Sequence, residues 1–281
     1  MIHSFIESWS LFGDTYLTAW ALAVMLAVVG IPVVARDQIF LGAAVTQTAL
    51  LGVAVGYLVA NSEVVFHSSW ANKTVIISLF SVGFAVATTV FTMCLCQDRH
   101  TPESLTGWLF LAATGLTYVV LAKSPFGLKE VSERVSSSLI GASRADSIMF
   151  SILAVAVCIA ARQFFRPLML VTFDRHMAIA CGLTVRRIEL IMALAIGLIL
   201  GLALRASGML YAFGYLVLPA LFARQLCRNM RTVFIVAPIA ALLIAVAAFA
   251  IGNHWDLPQA PLAVSLMAVA LLPAAMVKRQ S

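Results

Sequence analysis

Apolar residues in this chain come in long runs separated by short polar breaks. Nine runs of about span length fall at residues 16–35, 38–60, 74–96, 105–122, 147–161, 188–204, 208–223, 233–252 and 260–277. A helical bilayer crossing takes about 20 predominantly apolar residues. The pattern therefore predicts an all-α, polytopic membrane protein with about nine (eight to nine) transmembrane helices, residues 1–281 forming a single transmembrane domain. Only Arg205-Ala206-Ser207-Gly208 separates the sixth run from the seventh, which leaves open a half-helix or re-entrant segment there.

Composition sharpens this reading. Of 281 residues, 62% are hydrophobic and 11% charged, and the mean hydropathy is +1.02, which excludes a water-soluble core of this size. Nine spans take roughly 180 residues, so neither a soluble catalytic domain nor a lone membrane anchor fits. The 16 glycines fall largely inside the apolar runs, where small residues let helix backbones approach closely. Gly52 and Gly56 have the spacing for such a contact, next to Gly42 in the same run.

The net charge of +6 and pI near 9.3 do not point to nucleic acid, because the basic residues stand singly in short loops. With the N-terminus outside, Arg36, Arg99, Arg162, Arg166, Arg175, Arg186, Arg187, Arg224, Arg228, Arg231, Lys278 and Arg279 lie inside, against Lys73, Lys123, Lys129, Arg134, Arg144 and Arg205 outside. This two-to-one bias predicts N-out, C-in. Residues 1–15 carry Glu7 and Asp14 and no Lys or Arg, so the first span is expected to remain in the mature protein. The five cysteines lack metal or redox spacing and are read as packing residues.

Two loops are long. The outer one, 123–146, contains Ser136-Ser137-Ser138 and is either a docking face or a solvated loop. The inner one, 162–187, predicts a short helix at about 172–182, capped by Thr172 with Asp174 at the positive end of its dipole and Gly182 at its end. Phe173, Met177 and Cys181 line one apolar face, with Asp174, Arg175 and His176 on or beside the other. By pattern alone this helix either lies on the membrane or fills the groove of a partner.

Leu170-Val171-Thr172-Phe173-Asp174, Ala178, Gly182-Leu183-Thr184-Val185-Arg186 and Glu189 resemble the inner-loop motif of permease subunits of ATP-binding-cassette importers for zinc, manganese and iron. Ser207-Gly208-Met209-Leu210 and Leu216-Val217-Leu218-Pro219-Ala220-Leu221-Phe222-Ala223-Arg224 are similar to the family's Gly-x-Leu-Leu and Leu-Pro-Ala-x-x-Ala-Arg segments. Looser matches are Leu41-Gly42, Leu50 and Gly52-Val53-Ala54 in the second run, and Glu103-Ser104-Leu105-Thr106-Gly107 before the fourth.

The resemblance implies a subunit of the cell membrane, paired with a second permease copy as a homo- or heterodimer and supplied by an extracytoplasmic solute-binding protein. The coupling helix at about 172–182 then engages a cytoplasmic ATPase through Phe173, Asp174, Arg175, Met177, Gly182 and Arg186. ATP and Mg²⁺ belong to that partner. No cofactor and no catalytic residue is expected on this chain, which has no Walker-type glycine loop. Ala43, Thr46, Gln47, Tyr215 and Pro219 are the expected pathway-lining residues, Pro219 also marking a kink and a moving gate.

The family's second-span motif supplies Asp and His one turn apart, where this chain has Ala43 and Gln47. Alanine ligates nothing, and a Gln amide is a weak neutral ligand beside imidazole or carboxylate. Glu103 is the one acidic position of the motifs that remains as a candidate metal ligand, against its reading as an N-terminal helix charge. Glu63, His67, His254 and Asp256 are candidates for gathering cations at the outer mouth, against simple solvation, and the scattered methionines read as core filling.

Three accounts of the cargo follow: a second subunit supplies the missing ligands, the cargo is a chelate or other small solute, or a bare metal crosses on transient contacts. An intramembrane enzyme lacks a nucleophile and base within its spans. A secondary transporter lacks an embedded titratable residue for coupling.

Overall fold

The computed structural model describes the backbone at residues 2–60, 70–95, 102–122 and 143–280, with side chains at 12–60, 75–93, 103–122 and 143–273. The outer-loop expectations at 123–142, and those on Glu63, His67 and Arg99, lie outside the described residues. Among the described residues the apolar runs are helical, apart from Gln38 at the start of the second. The elements are α1 (Ile2–Ala35), α2 (Ile39–Ala60), α3 (Trp70–Val90, continued by a π-turn at Phe91–Leu95), α4 (Pro102–Ala122), α5 (Arg144–Gln163), α6 (Phe165–Phe173), α7 (Arg175–Ala180), α8 (Val185–Leu226), α9 (Met230–Trp255) and α10 (Gln259–Gln280). No strand occurs among the described residues. Among the described residues, seven helices have span length and apolarity, and the apolar part of α10, Gln259–Pro273, is shorter.

The sixth and seventh runs are joined in α8, a single assigned helix of 42 residues. A straight helix of that length extends about 63 Å, twice the hydrocarbon thickness of about 30 Å. Its two ends instead meet at one place. Glu189 in the first turn lies 3.8 Å from Arg36, just beyond the end of α1, and Arg224 in the last turn donates to the Val34 carbonyl at 2.9 Å and to Asp37 at 2.8 Å. The chain therefore turns back on itself within α8.

Gly208 makes the turn, with φ 77 and ψ 172, a region open essentially to glycine alone. The arms run at 185–207 and 209–226, about 35 Å and 27 Å long, so the boundary between the sixth and seventh runs is a sharp reversal at Gly208. The sequence placed the kink at Pro219. That residue lies within the second arm, where helical geometry continues.

Helix directions follow from the close approaches. A Cβ at Gly52 would overlap the Phe80 backbone, and one at Gly56 would crowd Ile77, so α2 runs antiparallel to α3. Gly197 and Gly201 sit on Val86 and Val82, so the first arm of α8 is also antiparallel to α3. Gly30 presses on the Leu216 carbonyl with no room for a Cβ. The Gly52–Gly56 contact is as the spacing predicted, and Gly197–Gly201 is a second pair of the same kind. In hydrocarbon, helix association depends on such close packing.

Buried threonines do not demand partners across helices. Thr46, Thr92 and Thr117 each return a hydroxyl bond to a carbonyl three or four residues back, so their polarity is satisfied within their own helix. With α1, α2 and the α8 hairpin at the centre, α3, α4, α5 and α9 present exposed apolar side chains such as Leu79, Leu111, Ile152 and Leu243.

Candidate functional site

One end of the bundle gathers Arg36, Arg175, Arg186, Arg187 and Arg224. Here α6 and α7 form an elbow. The short inner helix is α7, six residues from Arg175 to Ala180. Its cap is Asp174, whose carboxylate accepts from the Met177 amide at 2.9 Å, and not Thr172, whose hydroxyl bonds back to Leu168 within α6 at 2.7 Å. An aspartate accepts the orphan amide and adds charge at the positive helix end, so it displaces threonine from the role.

Termination at Gly182 occurs where expected. Gly182 adopts φ +77, its amide donates to Ile179, and the Leu183 amide donates to Ala178. This pair of bonds is a Schellman motif. The buried side of the elbow is Val171, Ala178 and Val185, with Leu170, Leu183 and Ile188 packed on them.

The expected stripe Phe173, Met177 and Cys181 does not share one helix, because Phe173 ends α6 and Cys181 caps α7. The exposed apolar set is Phe173 (54%), Met177 (56%) and Ile179 (54%). Ile179 was missed, although it sits between residues already singled out. Asp174, His176 and Arg186 are exposed beside them. Arg175 is exposed as well, its side chain 43% accessible, with its Nε 3.7 Å from Glu189. Glu189 is 95% buried between this guanidinium and that of Arg36, and Arg36 also donates to the Val171 carbonyl at 3.4 Å. The acidic residue of the inner-loop motif thus ties the elbow to α1 and to the hairpin.

The second locus lies between α2 and the hairpin. Ala43, Thr46 and Gln47 are buried. Gln47 donates through Nε2 to Met209 Sδ at 3.3 Å, which joins α2 to the residue following the turn. The Thr46 hydroxyl donates back to the Gly42 and Ala43 carbonyls of its own helix at 3.0 and 2.9 Å. Tyr215 is fully buried and stacks on Tyr211 with ring centroids 4.3 Å apart. Tyr211 donates to the Ala19 carbonyl at 2.9 Å, whereas the Tyr215 hydroxyl has no hydrogen-bond partner among the described residues. Pro219 follows Tyr215 by one turn and leaves its carbonyl without the usual helical donor.

Glu103 is exposed in the first turn of α4, the position of an N-terminal helix charge. Among the described residues no group of three His, Cys, Asp or Glu side chains comes together. At the opposite end of the bundle, Asp256 caps α9 in the left-handed region, and His254 leans on Trp255.

An apolar bundle with seven span-length helices among the described residues is that of a multi-pass membrane protein. The chain belongs to the ABC 3 transport family, whose sequence profile matches residues 9–278. It is 23% identical to the manganese transport system membrane protein MntC of Halalkalibacterium halodurans over 249 residues, which is 89% of this chain and 81% of that protein. The MntC of Listeria monocytogenes is 21% identical over 234 residues, 83% of this chain and 78% of that one. Among solved structures, PsaBC from Streptococcus pneumoniae in complex with Fab aligns with TM-score 0.79 and 16% identity, covering 98% of this chain and 95% of that one. At that identity the likeness is one of fold.

Proposed function

We propose that this chain is the permease subunit of an ATP-binding-cassette importer that passes a divalent metal, with manganese the first cargo to test, into the cytoplasm of the cell whose plasma membrane it spans. The observation that carries this reading is the elbow, which exposes Phe173, Met177 and Ile179 at the basic end while its other face is locked to the bundle. Exposed apolar anchors on a short helix suit a groove in a partner, and the basic end is cytoplasmic by the charge bias. The partner is an ATPase that holds ATP and Mg²⁺. An extracytoplasmic binding protein delivers cargo at the end bearing Gly208 and Arg205.

Coupling runs through charge. A displacement of α7 pulls Glu189 through Arg175 and α1 through Arg36, while Arg224 and Asp37 bind the other arm of the hairpin to the α1–α2 turn. A movement of the elbow is thereby passed to α1 and to both arms of the hairpin.

Ala43 and Gln47 make this copy a weak metal holder, so the second permease of the pair supplies the stronger ligands. The neutral character of these two positions also favours a second reading, in which the cargo is a metal chelate. Purified complex in liposomes, assayed for ATP hydrolysis with manganese, zinc, iron and iron chelates, separates the two. Stimulation by free Mn²⁺ supports the first, stimulation only by chelates supports the second, and absence of any co-purifying ATPase removes both.

A further inference from the structure

An apolar groove of about 440 Å³ opens on the side of the bundle between α1, α5, α6, the first arm of α8 and Phe234 of α9. Its walls include Val29, Pro32, Ala160, Leu168, Ala195 and Ile199. From Ile188 to Ile199 it runs along α8 for about 16 Å, which is close to half the hydrocarbon thickness of about 30 Å. The groove thus has the depth of one leaflet and begins at the end of the bundle where the elbow lies. At that end the lining segments carry Arg162, Arg166 and Arg187, all exposed and each next in sequence to a lining residue. Apolar walls of one-leaflet depth, on segments that also carry three exposed arginines at the elbow end, match a lipid with an anionic headgroup, since arginine pairs with phosphate oxygens in fork geometry and basic residues at this level attract anionic lipid.

We infer that this groove holds an acyl chain of one anionic phospholipid from the leaflet on the elbow's side, its phosphate held by Arg162, Arg166 and Arg187. The bound chain would fill the space beside the first arm of α8, the arm whose first turn carries Glu189.

The test is native mass spectrometry of the full chain, purified in detergent and exposed to phosphatidylglycerol or phosphatidylcholine. The expected result is one retained phosphatidylglycerol per chain and weaker retention of phosphatidylcholine, with each Arg→Gln change at 162, 166 or 187 lowering retention about fivefold. Ala195→Trp and Ala160→Trp, which add bulk at exposed groove positions, are expected to remove the lipid while helix content by circular dichroism is preserved. Equal retention of the two lipids, or full retention in both Trp variants, overturns the inference. So does loss of association between two copies in the Ala195→Trp chain with lipid retention unchanged, which would make the groove an interface between subunits.

Discussion

Arg175 Nε lies 3.7 Å from Glu189 Oε1, so the first residue of the exposed elbow is held by a carboxylate buried in the membrane bundle. Glu189 also faces Arg36 at 3.8 Å. Removing Glu189 leaves the largely buried Arg36 guanidinium without this carboxylate, and a buried charge that loses its partner is costly. Glu189→Gln is expected to destabilise the detergent-purified chain by about 1–3 kcal/mol. In the assembled transporter the same change should leave ATP hydrolysis in place and reduce transport. Unchanged thermal unfolding together with unchanged transport would show that the two contacts carry nothing.

The elbow separates a structural aspartate from apolar residues free to meet a partner. Asp174→Ala removes the cap to the Met177 amide and should cost about 1 kcal/mol, whereas Asp174→Asn retains an acceptor and much of that stability. Phe173→Ala and Met177→Ala remove more than half-exposed side chains, so they should leave the unfolding midpoint unchanged and yet abolish co-purification of the ATPase. Retained association in the double variant would dismiss the elbow as the docking element. Asp174→Lys combines both effects, and its loss of coupling alone decides nothing about which one acts.

The positions of the apolar runs and the ending at Gly182 were legible because each rests on local chemistry: span-length hydrophobicity and the left-handed preference of glycine. The helix start was misread because Thr172 and Asp174 both cap well, and which one acts depends on where α6 ends. Pro219 drew attention as the obvious helix breaker, but proline is tolerated inside a packed membrane helix. The reversal came from Gly208, which in sequence is one small residue among many. Nothing local could show that Glu189 meets Arg36 and Arg175, since the three come from separate elements joined only by the tertiary fold.

Two glycines carry the hairpin in different ways. Gly208→Ala forces a side chain into φ 77, ψ 172, at a cost of about 1–3 kcal/mol, and Gly30→Ala drives a Cβ into the Leu216 carbonyl. Both should lower the yield of folded chain and its unfolding temperature. Gly83→Ala, at a site with nothing near a new Cβ, is expected to be neutral or slightly stabilising. Equal behaviour of all three in a thermal unfolding series would contradict the close packing of α1 on the second arm of α8.

Ala43 and Gln47 stand one helical turn apart on α2, both buried, with Gln47 reaching the hairpin through Met209. Asp and His placed at these positions would share a face and offer a carboxylate and an imidazole to one cation, with the soft contact to Met209 lost. The chain carrying Ala43→Asp and Gln47→His should therefore gain a thermal shift with Mn²⁺ or Zn²⁺ that the parent lacks, equivalent to about 2.7 kcal/mol when the free metal is at 100 times its dissociation constant. Because a buried aspartate without metal is costly, the variant is expected to be less stable than the parent in chelator and to recover on metal addition. That crossing of the two stabilities is the diagnostic feature, since nonspecific metal binding would shift both chains alike. A metal response identical to the parent's would mean that these two positions do not correspond to the ligand pair of the family's second-span motif.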